Sequence, residues 1–273
     1  MLMEMKLGKA KARGDYMLQT WLKILTSLVV ISLSACVTTE TGKLGANADP
    51  AKAEASYVQL GLAYLQNGNR DSSRLNFENA LELNKRSAPA HEGIARLYQL
   101  EAENELAEKH FRLALRYDPE FSRAHNNYGY FLFLHDRYEE AYKEIDKAAR
   151  DVSYESRGVA LLNLGKTALK LGNQERARAA FEHALSVQPN LTPVFVELAD
   201  ISYEMGDYAL AKSYLDRHLS VAKPTPRILW LGIRLERKFG NTDKERSYAI
   251  QLKNLYEYSQ ENLDYQKWVE ANP

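Results

Sequence analysis

The chain has 273 residues, and its 36 basic and 36 acidic side chains give it no net charge. General binding to DNA or RNA needs a basic face, so this balance argues against a nucleic-acid partner. The single cysteine, Cys36, excludes an internal disulfide and any metal site built from several thiolates. The folded part must therefore be stabilised by packing alone.

Residues 1–35 have the organisation of a bacterial secretory signal, with a basic start, an apolar stretch over 22–31 and small residues at the end. The apolar stretch is shorter than the roughly 20 residues of a spanning helix, which disfavours the alternative of a membrane helix that ends in a buried cysteine. The segment Leu33–Cys36 resembles the lipobox of bacterial lipoproteins. This resemblance implies that 1–35 is a signal peptide, with Met17 as a possible true start, and that Cys36 carries covalent lipid.

Residues 36–53 are predicted to be a lipidated, flexible tether because most of them are polar or small. In many Gram-negative lipoproteins an aspartate after the lipidated cysteine retains the protein at the inner membrane. By resemblance to that class, Val37 favours the outer membrane, on its periplasmic face. Each buried CH₂ group contributes about 0.8 kcal/mol, so several acyl chains on Cys36 would anchor the chain firmly.

From residue 54 onward the sequence repeats with a period of about 34 residues, which is the tetratricopeptide pattern. Gly61, Ala95 and Gly129 follow one another at intervals of 34 residues, whereas Gly165 follows Gly129 after 36. The pattern predicts an all-α fold, a right-handed superhelix of about six helical hairpins. The expected repeats are 54–87, 88–121, 122–157, 158–191, 192–225 and 226–252, with a C-terminal capping helix over 253–273.

Residue types within the repeat have physical roles. Small residues such as Gly61 let two helices approach closely, and Phe77, Phe111 and Phe181 are predicted to fill the space between one pair and the next. Burying each such side chain stabilises the fold by about 1.5–3 kcal/mol.

Catalytic and metal-binding motifs are absent from the sequence. The six histidines do not form an HExxH pattern, and neither a GxSxG motif nor a phosphate-binding loop occurs. His91 and His125 occupy equivalent repeat positions where an aromatic side chain normally packs, so packing is their expected role. We therefore expect no enzymatic activity, no cofactor, no metal and no small-molecule substrate.

Recognition of another protein is the remaining chemistry. In this fold the first helix of each repeat lines a concave groove, and an exposed apolar groove often binds an amphipathic or extended segment. The candidate groove residues are Val58, Leu62, Leu65, Arg123, Asn126, Asn127, Tyr130, Phe133 and Leu134. Two alternatives stay open: other parts of the chain cover the groove, or Asn127 serves helix–helix hydrogen bonds.

Charges alternate in sign along the first helices of the last repeats. Lys166 and Lys170 are followed by Asp200 and Glu204, and then by a run of basic residues that begins at Arg227. These charges are either an ordinary solvated surface or a second contact surface for an acidic partner.

Five segments resemble the type IV pilus biogenesis/stability lipoproteins, the PilF/PilW family. They are Tyr57–Leu65, His125–Leu132, Arg137–Tyr142, Leu231–Leu235 and Gln251–Tyr256. The residues that follow Tyr256 depart from the proline-containing turn expected in that family.

Members of this family act as pilotins, which bring the secretin, the outer-membrane channel of the pilus, to its membrane and promote its assembly into a ring. The resemblance implies a non-enzymatic outer-membrane lipoprotein whose repeat groove binds the secretin subunit. The alternative is another tetratricopeptide lipoprotein scaffold, for outer-membrane protein assembly or for recruitment of cell-wall hydrolases.

Overall fold

The computed structural model describes residues 49–271, and in that part of the chain it contains thirteen α-helices and no strand. The helices are α1 Pro50–Gln66, α2 Arg70–Leu83, α3 Ala88–Leu100, α4 Asn104–Tyr117, α5 Ser122–Leu134, α6 Tyr138–Arg150, α7 Arg157–Lys170, α8 Gln174–Val187, α9 Thr192–Glu204, α10 Tyr208–Val221, α11 Pro226–Lys238, α12 Thr242–Leu255 and α13 Gln260–Ala271. The predicted signal peptide, Cys36 and residues 37–48 of the tether lie outside the described residues. None of the helices in the described range is long and apolar enough to cross a membrane.

Consecutive helices pack as six pairs, from α1 with α2 to α11 with α12, and each pair packs against the next. Three-residue turns join the two helices of a pair, so the partners form helical hairpins. Each turn contains one residue with positive φ, such as Gly68 at 75° and Gly172 at 74°, where glycine avoids the steric penalty of a Cβ atom. The predicted all-α superhelix of tetratricopeptide repeats is confirmed.

The first helix begins earlier than the sequence predicted. Pro50 is its first residue, and the Asp49 side chain accepts a hydrogen bond from the amide of Ala51 at 3.0 Å. Proline suits the first helical position because its fixed φ is helical and its missing N–H would be unpaired there. Residues 50–53, which were expected to belong to the tether, are therefore helical.

The C-terminal segment 253–273 differs from the single capping helix that was expected. Its first residues complete α12, which ends at Leu255, and α13 starts only at Gln260. The Ser259 hydroxyl accepts a hydrogen bond from the amide of Asn262 at 3.2 Å and so caps α13 without a proline-containing turn. Helix α13 packs on the last pair, with the rings of Tyr265 and Trp230 6.0 Å apart.

Phe77 shows how one helix pair packs against the next. Its ring is fully buried, and a Cβ atom built on Gly61 of its own pair or on Gly93 of the next pair would lie 2.6 Å or 2.3 Å from it. Gly165 leaves the same space for the ring of Phe181, at 2.4 Å. The glycines thus provide room for the aromatic ring that joins one hairpin to its neighbour, as the sequence predicted.

We expect Phe77→Ala to lower the free energy of unfolding by about 3–5 kcal/mol, because it opens a cavity between two pairs that glycines cannot refill. The matched control is Leu75→Ala on the same helix, where the side chain is 58% exposed and little packing is lost. Urea unfolding followed by circular dichroism measures both. Equal losses in the two variants would contradict this role of Phe77.

Candidate partner-binding site

The candidate groove residues lie on α1 and α5, two of the first helices of the pairs. These first helices contact one another from α1 through α3 and α5 to α7, and again between α9 and α11. The surface that these helices form is here called the first-helix face.

Repeat one does not offer the open apolar groove that was predicted. Val58 and Leu65 are each only 6% exposed, and Leu62 is half-buried. Val58 packs with Ala80 of α2 and Ala90 of α3, and Leu62 packs against that cluster. The expectation of an exposed groove is wrong for Val58 and Leu65 because α1 uses its apolar side chains against its neighbours.

Repeat three exposes apolar side chains on the same face. Tyr130 and Leu134 are 43% and 51% exposed, and Phe133 is half-buried between them. The rings of Tyr130 and Phe133 are parallel to within 9° at 6.4 Å, and Tyr138 meets Phe133 edge-on at 5.5 Å. We call Tyr130, Phe133, Leu134 and Tyr138 the aromatic patch, and its preorganised rings suit an apolar segment of another protein.

Asn126 and Asn127 take part in a chain of side-chain hydrogen bonds that crosses three first helices. Asn163 of α7 donates to Asn126 at 3.0 Å, Asn126 donates to Asn127 at 3.2 Å, and Asn127 donates to Glu92 of α3 at 2.6 Å. Asn126 is only 5% exposed. Both amides therefore serve helix–helix contacts, which was the structural alternative left open for Asn127.

Arg123 is also engaged within the protein. Its Nε atom lies 3.2 Å from a carboxylate oxygen of Glu92, whose side chain is fully buried, and its guanidinium stacks over the ring of Phe121 at 5.0 Å. Arg96 contributes a second, longer ion pair to Glu92 at 3.7 Å. The sequence offered no signal for the burial of Glu92, since a lone helical glutamate normally faces solvent.

We expect Arg123→Met to lower the free energy of unfolding by about 3 kcal/mol, because it leaves the buried Glu92 carboxylate with one distant cation and one amide. Adding Glu92→Gln to that variant should recover most of the loss, since a neutral amide needs no counter-charge. Thermal and urea unfolding of wild type, Arg123→Met and the double variant measure these changes in stability. An equally unstable double variant would show that Arg123 stabilises through contacts other than this charge.

Several of the alternating charges of the last repeats neutralise one another. Arg227 of α11 forms a two-pronged pair with Glu197 of α9, at 2.9 and 3.1 Å, and Lys166 approaches the same carboxylate at 3.9 Å. Asp200 lies between Arg227 and Arg234, and burial raises its pKa even though both cations oppose that shift. These residues pair across helices, so they are not free to bind an acidic partner.

The buried histidines have packing roles. His125 contacts Glu144 at 2.6 Å and the carbonyl of Pro119 at 2.8 Å. His91 and His110 share one contact between their Nδ1 atoms at 3.1 Å, and burial lowers the pKa of both, that of His110 to about 4. Within residues 49–271 no group of three or more histidine, cysteine or acidic side chains is placed to hold a metal ion.

The His91–His110 contact predicts a pH-dependent stability. Because the folded pKa values lie below the unfolded value of about 6.5, the unfolded chain binds protons first, and stability falls as the pH drops from 6.5 towards 4. We expect a loss of about 1–2 kcal/mol after allowance for the partial exposure of His110. Urea unfolding at several pH values should show this slope in wild type and in His183→Phe, an exposed control, but a smaller slope in His110→Phe. Equal slopes in all three would refute the assignment.

Comparisons with known proteins identify the chain's relatives. Two models of the tetratricopeptide repeat match it, one over residues 54–87 and 159–191 and the other over residues 101–156. The chain is 37% identical over 243 residues to the type IV pilus assembly protein PilF of Pseudomonas aeruginosa, across 89% of this chain and 96% of that protein. The chain belongs to the PilF family.

Solved structures agree with membership of the PilF family. The structure of Pseudomonas aeruginosa PilF superposes with a TM-score of 0.77 at 38% identity, covering 80% of this chain and 98% of that one. PilW, described as a widely conserved type IV pilus biogenesis factor, gives a TM-score of 0.69 at 28% identity, covering 80% of this chain and all of PilW. The predicted resemblance to the PilF/PilW family is thereby confirmed.

Proposed function

We propose that this PilF-family protein is a pilotin: an outer-membrane lipoprotein, anchored through Cys36, that localises the secretin of the type IV pilus and promotes its multimerisation. The observation that carries the proposal is the 37% identity to the type IV pilus assembly protein PilF over nearly the full length of both chains. The protein acts by binding rather than by catalysis, as a repeat array with an exposed aromatic patch is suited to do.

The aromatic patch is the proposed contact for the secretin. Tyr130 and Leu134 are exposed. Asn126, Asn127 and Arg123 instead form hydrogen bonds and an ion pair with Asn163 and Glu92, and these contacts fix the first helices relative to one another. Repeat one contributes little, since only Leu62 among its three candidates is partly accessible. The patch therefore binds an apolar segment of the partner on a rigid support.

A deletion strain tests the function. Loss of this protein should abolish heat-resistant secretin multimers in the outer membrane, and twitching with them, and expression of the wild-type chain should restore both. Normal multimers in the deletion strain would end the proposal.

A further inference from the structure

The turns within the six helix pairs carry a regular feature that the fold does not explain. Each turn contains a residue with positive φ, and in five of them a large, exposed apolar side chain stands one or two positions before it. These side chains are Leu100, Leu134, Leu171, Met205 and Phe239, with exposures of 55%, 51%, 37%, 58% and 51%. We call these five residues the turn-edge band.

The turn itself does not require an apolar side chain. Repeat one makes the same turn, with Gly68 at φ 75°, yet it carries Gln66 and Asn67 in the two positions concerned. Exposed apolar side chains that recur from repeat to repeat are typical of an interaction surface, because association removes their hydrophobic area from water. The apolar side chains of the band are therefore not an obligatory part of the turn.

The spacing of the band matches a polypeptide. Stacked helices lie about 8–10 Å apart, so the edge presents one apolar side chain about every 10 Å. An extended chain advances that distance in about three residues. Leu134 belongs both to the band and to the aromatic patch. Lys170, which directly precedes Leu171, lies over the ring of Tyr138 at 5.9 Å, so the band of repeat four adjoins the patch.

Two unpaired cations flank the band. Lys170 precedes Leu171 and Lys238 precedes Phe239, and their ammonium groups lie over the rings of Tyr138 and Tyr208, at 5.9 and 5.4 Å. Among the described residues no carboxylate forms an ion pair with either lysine, in contrast to the neighbouring Arg227 and Arg234. An acidic group of a partner would find both lysines available.

We propose that the turn-edge band is a docking edge for an extended segment of a partner protein, with an apolar side chain about every three residues and carboxylates between them that meet Lys170 and Lys238. This inference rests on the proposed function, in which the partner is the secretin subunit, and it extends the contact from the aromatic patch along repeats four to six. The charge complementarity selects a segment that is both acidic and apolar.

The first test replaces one apolar turn residue in each of repeats four to six by the asparagine that repeat one carries at that position. The variant Leu171→Asn, Met205→Asn, Phe239→Asn copies Asn67 and leaves the aromatic patch intact. We expect it to bind purified secretin in detergent at least tenfold more weakly than wild type, with unchanged circular dichroism. The matched control is Leu75→Asn, Leu83→Asn, Val152→Asn, which removes three exposed apolar side chains elsewhere and should bind normally.

Equal secretin affinity of the band variant and wild type would overturn the docking edge while leaving the proposed function in place. A tenfold loss in the band variant alone supports both. The double variant Lys170→Glu, Lys238→Glu should weaken binding to a similar degree, and unchanged binding there would overturn the acidic character assigned to the segment.

Photocrosslinking in cells separates the remaining cases. With Phe239→p-benzoylphenylalanine, mass spectrometry of the adduct should identify an acidic, apolar segment, and the yield should fall in the Lys170→Glu, Lys238→Glu background. If wild type does not bind secretin at all, the proposed function fails, yet such an adduct with a different protein would uphold the docking edge. Adducts with phospholipid or with a second copy, or no yield above Leu75→p-benzoylphenylalanine, would overturn it.

Discussion

We expect Cys36→Ser to remove the protein from the outer membrane and to abolish assembly of the secretin there, as the proposed function requires. In the proposed function the acyl chains are attached to this thiol, and each buried CH₂ group that they contribute is worth about 0.8 kcal/mol of membrane affinity. We expect the outer-membrane share of the protein to fall at least about tenfold, since several chains together account for the proposed anchoring. Immunoblots of separated membranes measure the protein and the heat-resistant secretin multimers in the same fractions.

The control for this experiment is Ser34→Ala, which keeps a small residue before the cysteine and leaves the acceptor thiol in place. It should fractionate as wild type does. An unchanged outer-membrane distribution of Cys36→Ser would refute anchoring through this residue.

The second large effect is expected at the aromatic patch. The double variant Tyr130→Asp, Leu134→Asp should bind the secretin about 100-fold more weakly, because it introduces two charges where an apolar segment is proposed to dock. Both side chains are exposed in the free protein, so helical content should be preserved. Biolayer interferometry with the purified secretin measures the affinity.

The chain supplies a matched control on its first helix. Tyr64 and Leu60 are an exposed tyrosine and leucine four residues apart, as Tyr130 and Leu134 are, and they are 37% and 48% exposed. Tyr64→Asp, Leu60→Asp should retain full affinity. Equal losses in the two double variants would show that added negative charge, rather than the patch, is responsible. Leu62→Asp is a poorer probe, since Leu62 packs against Val58 and its replacement would lower stability.

The repeat architecture could be predicted from the sequence because its signals are local and periodic. The spacing of Gly61, Ala95 and Gly129 indicated both the fold and the close helix contacts, and the partners of Phe77 bear this out. Even the early start of α1 had a signal, an aspartate directly before a proline, although the polar composition around it favoured a tether.

The accessibility of the groove could not be predicted in the same way. The repeat pattern predicts which side of a helix a residue occupies. It does not predict which residues a neighbouring helix covers. Val58 is buried by Ala80 and Ala90, residues 22 and 32 positions further along the chain. The buried Glu92 likewise depends on Arg123 and Asn127, two partners from the next repeat that the fold brings to it.

Direct binding between the two purified proteins tests the central claim most sharply. Full-length protein and secretin subunit, each in detergent, should form a saturable complex that Tyr130→Asp, Leu134→Asp disrupts and that Tyr64→Asp, Leu60→Asp leaves intact. If wild type shows no saturable binding, or if the patch variant binds the secretin as tightly as wild type does, the first-helix face of repeat three is not where the secretin is held.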